Sequence, residues 1–305
     1  MYKRQIITPP ELYEQVIEID ERITSDGSVL HPLNLDRLDR HIDKLISDDY
    51  SVAIALLNSF KNNIHEIELS NYLIDKGVKN ISCSSKLSTA IKILPRAETT
   101  IVNAYLDPIM SKYIKGIESK LSGTTLRVMS SSGAVIPSNN FYPKDCLLSG
   151  PAGGVIGAAD IASKSDVKEI VTFDMGGTST DVAVYRDGVS YVYETKVGDA
   201  TIQSPTIDIS TIAAGGGSIC SYENGMLTVG PHSAGAHPGP ACYGNGGPLT
   251  ITDINLQAGR ISADNFSIPI DINKSEEALQ LLQNKINRHS ASKTNVNELI
   301  NSFLI

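Results

Sequence analysis

The sequence predicts an α/β protein with more than one domain, and three observations support this prediction. Residues 34–84 alternate between helical periodicity and short apolar runs, the helix–strand–helix–strand order that is typical of α/β folds. Glycine-rich loops follow several runs of apolar, β-branched residues. The chain has 305 residues, 41% hydrophobic and 20% charged, which suffices for a large core and favours two domains.

The first 98 residues carry the α/β alternation. The predicted elements, in order, are strands over 16–19 and 28–30, a helix over 34–46, a strand over 51–57, a helix over 64–75 and a strand over 80–84. Ser25–Gly27 predicts a turn between the first two strands. Asn34 is expected to cap a helix and Gly77 to end one, because these residue types suit the backbone at helix ends.

Two long helices are predicted in the middle of the chain. The first covers 99–121, and Pro108 is expected to kink it or split it in two, because proline has no N–H to donate. The second opens in 149–159 with four glycines, and these are Gly150, Gly153, Gly154 and Gly157. A glycine-rich helix start favours anion binding, since free amides and the helix dipole point the same way. It equally favours close packing against a neighbouring element, and the sequence leaves both interpretations open.

Residues 173–181, with the sequence FDMGGTSTD, form the most informative loop. Apolar runs over 169–173 and 182–185 flank it, which predicts a strand, a turn and a second strand. Gly176 and Gly177 have no Cβ and let a ligand approach the main chain closely.

The residue types of this loop suit a phosphate group. Asp174 is of the type that holds a hydrated Mg²⁺ ion, which usually uses one or two carboxylates. The groups that would surround the phosphate are the amides of the two glycines and the hydroxyls of Thr178, Ser179 and Thr180. A plain hairpin with a Gly-Gly turn is the alternative.

Glycines also follow the strand predicted over 207–212. They are Gly215, Gly216 and Gly217, with Ser218 after them. Such a run indicates backbone placed against a ligand, and an irregular loop is the alternative. Residues 218–222 and 226–229 then predict a hairpin, with Asn224-Gly225 as its turn.

A Gly/Pro-rich loop covers residues 230–247, and loops of this length are usually functional or disordered. Its residues His232, His237 and Cys242 do not favour a zinc site, because their spacing matches no standard zinc finger.

Two further elements follow the loop. Residues 250–255 predict a strand running into a helix start. Residues 275–288 predict a helix with Ser275 as its cap.

Composition excludes several classes of partner. The net charge of −8 argues against nucleic acid and anionic membranes as partners. No apolar run reaches the roughly 18 residues of a membrane span, and no signal peptide is visible. The four cysteines form no CxxC pair and favour reduced thiols. We therefore expect a cytoplasmic protein with neither kind of partner.

Both ends of the sequence are unusual. Met1–Gln5 matches what a sequencing-adapter end encodes, so we expect residues 1–9 to be a tail with an artefactual start. The last helix stops in the apolar run Phe303–Ile305, which we expect to be exposed and cut off.

Five blocks of sequence, taken together and in order, resemble one protein family. They are VNAYL (102–106), LSGPAGGV (148–155), FDMGGTSTDV (173–182), AGGGSI (214–219) and VGPHSAGAHPGPACYG (229–244), with Thr252-Asp253 after them. The resemblance is to the hydantoinase/oxoprolinase family, in its nucleotide-binding A (or β) subunit type. It covers about residues 16–260.

The resemblance implies an actin-like ATPase fold, with two ribonuclease-H-like α/β halves around a nucleotide cleft, here incomplete at both ends. Residues 10–98 would be part of the N-terminal half, and 99–305 a hydantoinase A-type domain with the second of two phosphate loops. The first phosphate loop has no counterpart in this sequence. We therefore expect this chain alone not to bind ATP normally and to be inactive.

The resemblance also implies roles for individual residues. Asp174 would bind Mg²⁺ or its water shell, and Asp181 would orient a water or a metal ligand, unless it merely accepts a hydrogen bond at the hairpin end. The residues implied to contact the nucleotide are Gly176, Gly177, Thr178, Ser179, Thr180, Gly153, Gly154, Gly215, Gly216, Gly217 and Ser218. The chain has Ser210 where the family commonly has His, and His237 where it commonly has Asp.

The implied reaction is ATP-dependent hydrolysis of a cyclic amide, such as 5-oxoproline or a hydantoin, through phosphorylation of its carbonyl oxygen. ATP and Mg²⁺ would be the cofactors, and a hydantoinase B-type subunit or domain the partner. Two alternatives stay open. One is a subunit of an ATP-dependent carboxylase with a ketone substrate, and the other is a non-catalytic nucleotide-binding protein with an actin-like fold.

Overall fold

The computed structural model describes residues 11–47, 50–121, 123–289 and 293–304. The strands in these ranges are β1 (Asp20–Ile23), β2 (Val29–Asn34), β3 (Ser51–Ile54), β4 (Asn80–Cys83), β5 (Arg127–Met129), β6 (Val135–Pro137), β7 (Glu169–Met175), β8 (Thr180–Arg186), β9 (Tyr191–Val192), β10 (Thr195–Val197), β11 (Ala200–Ile202), β12 (Thr206–Ile207), β13 (Ser210–Ile212), β14 (Ser218–Glu223) and β15 (Met226–Ser233). The α-helices are α1 (Asp36–Asp39), α2 (Ile42–Ser47), α3 (Ile64–Asp75), α4 (Ser84–Leu87), α5 (Ile93–Glu118), α6 (Ser149–Lys164), α7 (Ile251–Gln257), α8 (Ile272–His289) and α9 (Val296–Leu304). The predicted α/β class is confirmed.

The chain divides into two compact units. Unit 1 comprises residues 1–160 and 188–208, and unit 2 comprises residues 161–187 and 209–305. The chain therefore returns to unit 1 between β8 and β13. The predicted division after residue 98 falls inside α5, and the assignment of the two family domains stays a prediction.

Unit 1 contains a parallel pair of strands, β3 and β4, with α3 as the connection between them. This order confirms the predicted strand–helix–strand over 51–84. Gly77, at φ +98°, follows α3 in the left-handed conformation that ends many helices. The core beside this pair is formed by Leu38, Ile42, Ile54, Leu69, Leu73, Val78 and Cys83.

The start of unit 1 differs from the prediction. The first strand lies at 20–23 and not at 16–19. Asn34 ends β2, and the helix predicted over 34–46 is broken into α1 and α2. The Asn34 side chain still acts locally, since its Oδ1 accepts the N–H of Asp36 at 2.8 Å.

Helix α5 runs without a break from Ile93 through Pro108 to Glu118, so the predicted split at the proline is wrong, whereas the predicted kink stays a prediction. The helix packs on β3, β4 and β11, and this tertiary packing outweighs the unfavourable proline. In the part of the chain that the structure describes, no helix is both long and apolar enough to cross a membrane.

A buried polar network ties the starts of α3, α4 and α5 together. Glu66 and Arg96 are both fully buried. The Ser84 hydroxyl joins them, because Arg96 Nε donates to it at 3.0 Å and it donates to Glu66 Oε1 at 2.6 Å. Arg96 also donates to the carbonyl oxygens of Leu56 at 2.6 Å and Ala90 at 2.8 Å. The network therefore joins the segment after β3 to the start of α4, which directly follows β4.

Unit 2 contains a three-stranded antiparallel sheet in the order β13-β8-β7. Asp174 lies opposite Asp181, which in turn lies opposite Thr211 on β13. Residues directly opposite each other share a face, so these three form one line across the sheet, here called the polar row. The strand predicted over 207–212 is in fact two strands, β12 in unit 1 and β13 in unit 2.

Neighbouring residues of a strand point to opposite sides, and the face opposite the polar row, here called the apolar face, carries most of the large apolar side chains of this sheet. Its large side chains are exposed, and they are Val171, Phe173, Met175, Val184 and Ile212. The separation is partial, since Ile170 and Tyr185 share the face of the polar row and Ser210 shares the apolar face.

The rest of unit 2 forms its own core. Strands β14 and β15 make the predicted hairpin, with Asn224 and Gly225 both at positive φ in the turn. The apolar side chains of the core are Cys220, Leu249, Ile254, Leu279, Ile286, Leu299, Ile300 and Phe303. Phe303 is thus buried, so its predicted exposure is wrong, and Ile305 lies outside the described residues.

Two boundaries in unit 2 also differ from the prediction. The helix start predicted within 250–255 is confirmed, but the strand predicted before it is wrong, because residues 251–255 already belong to α7, which the capping box of Thr250 and Asp253 starts. Helix α8 begins at Ile272, so that Ser275 lies inside it and does not cap it.

Candidate functional site

The turn between β7 and β8 presents hydrogen-bond donors to solvent. It is closed by the N–H of Gly176, which donates to the carbonyl oxygen of Ser179 at 2.9 Å. Gly177 and Thr178 are exposed, and their amides have no acceptor among the described residues. Successive free amides in a turn make a concave site that suits an anion.

The turn is supported from behind by the glycine run of residues 215–217. Gly216 N–H donates to the carbonyl oxygen of Gly176 at 3.0 Å, and Gly217 N–H to that of Gly177 at 2.6 Å. A Cβ at Gly215 would lie 2.7 Å from the Gly177 carbonyl carbon and from the Thr178 nitrogen. Real Cβ atoms essentially never lie so close to a non-bonded atom, so glycine is required here for the close approach of two main chains.

Two further segments hold the glycine run. Thr252, in the first turn of α7, donates to the Gly216 carbonyl oxygen with both its N–H and its hydroxyl, each at 2.8 Å. Ala234 N–H donates to the Gly217 carbonyl oxygen at 2.8 Å. One hydrogen-bonded support is therefore formed by the loop after β15, the start of α7 and the glycine run. This support holds the turn that carries the free amides.

The polar row lies at the start of the same turn. Asp174 is exposed, and Asp181 is partly exposed and accepts the Thr211 hydroxyl at 2.6 Å on Oδ1. Neither carboxylate has a Lys, Arg or His ion-pair partner within the described ranges. Like charges directly opposite each other are unfavourable, and a cation bound between them would relieve the repulsion.

The three side-chain hydroxyl groups of the turn differ in their environment. The hydroxyl groups of Thr178 and Ser179 have no hydrogen-bond partner among the described residues, so both remain able to donate. Thr180 is buried, and its hydroxyl donates to the Ala214 carbonyl oxygen at 2.6 Å. The geometry favours a structural role for Thr180, and its predicted phosphate contact stays a prediction.

The residues after the glycine run also serve the support. Ser218 is buried, and its Oγ accepts the N–H of Gly215 at 2.9 Å. Together with the close contacts of the three glycines, this favours backing of the turn over direct lining of a cleft. Their predicted nucleotide contacts stay predictions.

The glycine-rich helix start lies in α6, whose first residues belong to unit 1. A Cβ at Gly153 would lie 3.1 Å from Met129 Sδ, which is tighter than ordinary contact. Ala152 beside it is fully buried, whereas Gly154 is exposed. Pro151 has no N–H, which leaves fewer amides for an anion. The local geometry thus favours helix packing at Gly153, and the predicted nucleotide contacts of Gly153 and Gly154 stay predictions.

Two positions depart from the pattern of the resembled family, and they lie in different surroundings. Ser210 is opposite Val182 and next to Thr211 on β13, so it faces away from the polar row. His237 is exposed in the loop after β15. We therefore expect the Ser210 departure to leave the polar row unaffected.

The loop residues His232, His237 and Cys242 are not brought together. Both histidines are exposed and Cys242 is fully buried. Among the described residues, no group of three or more His, Cys, Asp and Glu side chains is arranged to hold a metal ion.

Burial makes two of the four free cysteines unreactive. It raises the pKa of Cys220 and of Cys242 to about 12 from an ordinary 9.0, and the charge of Asp253 adds to this effect. Their contribution to folding is therefore complete below pH 9 and is lost as pH rises toward 12.

The predicted cytoplasmic location stays a prediction.

Neither thiol is expected to react with iodoacetamide at pH 8 while the chain is folded, because only about 10⁻⁴ of each is thiolate. Mass spectrometry of peptides after alkylation measures this. The same chain in denaturant is the control and should be labelled at all four cysteines. Equal labelling of Cys242 in the folded and the denatured chain would contradict the expectation.

The mixed α/β fold is shared with solved enzymes. The nucleotide-free structure of acetone carboxylase superposes with a TM-score of 0.76 at 24% identity, over 94% of this chain and 42% of that chain. A crystal structure of ATP-dependent caprolactamase from Pseudomonas jessenii superposes with a TM-score of 0.71 at 29% identity, over 92% of this chain and 42% of that chain. The class is thus the α/β fold of these two enzymes.

Sequence comparison identifies the family. The model of the hydantoinase/oxoprolinase family matches residues 96–304, and the model of the N-terminal region of that family matches residues 1–77. The chain belongs to the hydantoinase/oxoprolinase family, which confirms the resemblance found in the sequence.

Two curated relatives show how much of a family protein the chain spans. The 5-oxoprolinase of Saccharomyces cerevisiae is 40% identical over 288 residues, which are 84% of this chain and 22% of that enzyme. The caprolactamase subunit alpha of Pseudomonas jessenii is 34% identical over 256 residues, which are 80% of this chain and 37% of that subunit. The chain therefore spans well under half the length of either relative.

Proposed function

We propose that this chain supplies a phosphate-binding turn to an enzyme that uses ATP to hydrolyse a cyclic amide of the 5-oxoproline or hydantoin type. The observation that carries the proposal is the turn itself, whose free amides at Gly177 and Thr178 lie beside exposed Asp174. The names of the relatives support the reaction, since they include a 5-oxoprolinase and an ATP-dependent caprolactamase.

The residues of the turn fit a nucleotide phosphate and a magnesium ion. The amides of Gly177 and Thr178 would donate to phosphate oxygens, and so would the hydroxyls of Thr178 and Ser179. Asp174 would bind Mg²⁺ or one of its waters, because its carboxylate is exposed and forms no ion pair within the described part of the chain. Asp181, in the same polar row, would orient a water or a second ligand of the ion.

These contacts have a clear chemical purpose. An unstrained lactam resists water because its amide is stabilised by resonance, and bound ATP supplies the phosphoryl group that makes the carbonyl carbon electrophilic. The amides and hydroxyls of the turn would hold the phosphate, and Asp174 with its cation would offset its charge; positioning and charge neutralisation are the main tasks of a protein in phosphoryl transfer.

The actin-like ATPase fold and the B-type partner belong to the same proposal. A strand–turn–strand that presents amides, followed by a third antiparallel strand, is consistent with one ribonuclease-H-like half of such a fold. A relative named caprolactamase subunit alpha supports a partner subunit. We propose that this partner is a hydantoinase B-type subunit or domain, and that the substrate is a small cyclic amide.

Asp174→Ala is expected to reduce lactam-stimulated phosphate release by about 100-fold or more, because the cation at the developing charge loses its carboxylate. The measurement is phosphate release from ATP by the assembled enzyme that contains this chain, in the presence of 5-oxoproline. Asp264→Ala is the matched control, since Asp264 is also an exposed carboxylate of unit 2, in the 3-10 turn Ala263–Asn265.

The outcomes separate the three functions that the sequence leaves open. Stimulation by 5-oxoproline or a hydantoin supports the lactam hydrolase, whereas stimulation only by a ketone with bicarbonate supports a carboxylase subunit. A folded enzyme that binds ATP without turnover supports a non-catalytic protein. Unchanged turnover in Asp174→Ala, with an unchanged melting temperature, would refute the role of the turn.

A further inference from the structure

Thr211 has a contact that its sequence context does not predict. Its hydroxyl donates to Asp181 Oδ1 at 2.6 Å, from the neighbouring strand β13. We propose that Thr211 is a positioning residue, which holds the Asp181 carboxylate in the orientation that it needs toward the magnesium ion or its bound water. This inference rests on the proposed function, because it concerns the same site.

The hydrogen bond is of the kind that fixes a carboxylate. A hydroxyl that donates to an ionised oxygen forms a short, charge-assisted bond, and the observed 2.6 Å lies in that range. Asp181 Oδ2 has no hydrogen-bond partner among the described residues, so one oxygen is held and the other stays available. Groups that orient a ligand of a metal typically change metal affinity or activity by about 10-fold to 100-fold when they are removed.

The register leaves Thr211 alone in this task on β13. Its neighbours Ser210 and Ile212 lie opposite Val182 and Thr180, and therefore face the other side of the sheet. The chain then runs from β13 straight into the glycine run that supports the turn, and the Thr180 hydroxyl donates to Ala214 in that connection. Thr211 thus links Asp181 to the same segment that positions the free amides.

The Thr211→Val variant removes the hydroxyl with little change of shape. Valine is β-branched like threonine and suits a strand, and residue 211 is exposed, so the fold should persist. We expect the magnesium concentration for half-maximal phosphate release to rise by about 10-fold or more. We also expect Mg²⁺ to increase the ADP affinity of the assembled enzyme less in this variant than in the unmodified enzyme. Calorimetry measures this affinity.

Thr211→Ser and Ser210→Ala are the matched variants. Serine keeps the hydroxyl, so Thr211→Ser should need nearly the same magnesium concentration for half-maximal phosphate release as the unmodified enzyme. Ser210→Ala removes a hydroxyl from the same strand on the opposite face, so it should behave as the unmodified enzyme.

The outcomes distinguish this inference from the proposed function. If Asp181→Ala raises the magnesium concentration for half-maximal phosphate release while Thr211→Val leaves it unchanged, Thr211 does not position Asp181. The inference then fails, and the proposed function stands. If valine and serine cause equal losses with a lowered melting temperature, the role of Thr211 is structural and the inference also fails. If neither Asp174→Ala nor Asp181→Ala has an effect, the proposed function itself is wrong.

Discussion

Gly215→Ala is expected to displace the turn at residues 176–179 and to lower lactam-stimulated phosphate release by about 100-fold or more. The added Cβ would meet the Gly177 carbonyl carbon and the Thr178 nitrogen at 2.7 Å, and the Gly176 carbonyl oxygen at 2.8 Å. All three are main-chain atoms, so no side chain can rotate away and the two segments must move apart. Phosphate release and ADP binding by the assembled enzyme measure the effect.

Gly116→Ala is the control for the change of residue type. Gly116 lies within α5, and a Cβ there meets nothing within 4 Å. Alanine favours a helix over glycine by up to about 1 kcal/mol, so this variant should be as stable as the original or slightly more so, with unchanged turnover. Normal ADP affinity and turnover in Gly215→Ala would show that the glycine run does not set the position of the turn.

Arg96→Met is expected to lower the free energy of unfolding by about 3–5 kcal/mol, which is the usual cost of removing one partner from a buried charged network. Glu66 and Arg96 are both fully buried, and methionine would fill the space without supplying a donor. The Leu56 and Ala90 carbonyl oxygens would lose their donor at the same time. Denaturant unfolding followed by circular dichroism measures the loss.

Two further variants show whether the network is responsible. Arg186→Met removes an exposed arginine that pairs with Glu169 at 2.9 Å, and such a surface pair should change the free energy of unfolding by less than about 1 kcal/mol. The double variant Arg96→Met with Glu66→Gln should be less destabilised than the sum of its single variants, because the charge left behind is removed. Similar losses for Arg96→Met and Arg186→Met would contradict the expected importance of burial.

The sequence predicts best those elements whose cause is local. The strand–turn–strand around residues 174–181 and the Asn224-Gly225 hairpin are both confirmed, because apolar runs flanking residues that suit a turn are local signals in the sequence. Of the strand and helix start predicted over 250–255, only the helix start is confirmed, since the capping box of Thr250 and Asp253 outweighs the β-branched residues beside it.

The support behind the turn could not be predicted, because it depends on contacts between segments that are far apart in sequence. Nothing near Thr252 or Ala234 indicates that their N–H groups reach the glycine run. The bond from Thr211 to Asp181 likewise depends on the register of β13 against β8, which a sequence pattern does not specify. The glycines themselves were detectable, but their pattern cannot distinguish contact with a ligand from contact with another main chain.

Strand β7 carries Asp174 toward the polar row and Phe173 and Met175 toward the apolar face. Because its side chains alternate with a period of two, a shift of one residue against β8 would exchange the two sets completely. The length of the turn therefore sets the register of β7 against β8, and with it the side of the sheet on which Asp174 lies. Substitutions in the turn alter single contacts, whereas an insertion or deletion of one residue that shifts β7 would move Asp174 away from Asp181 and Thr211, which keep their own register.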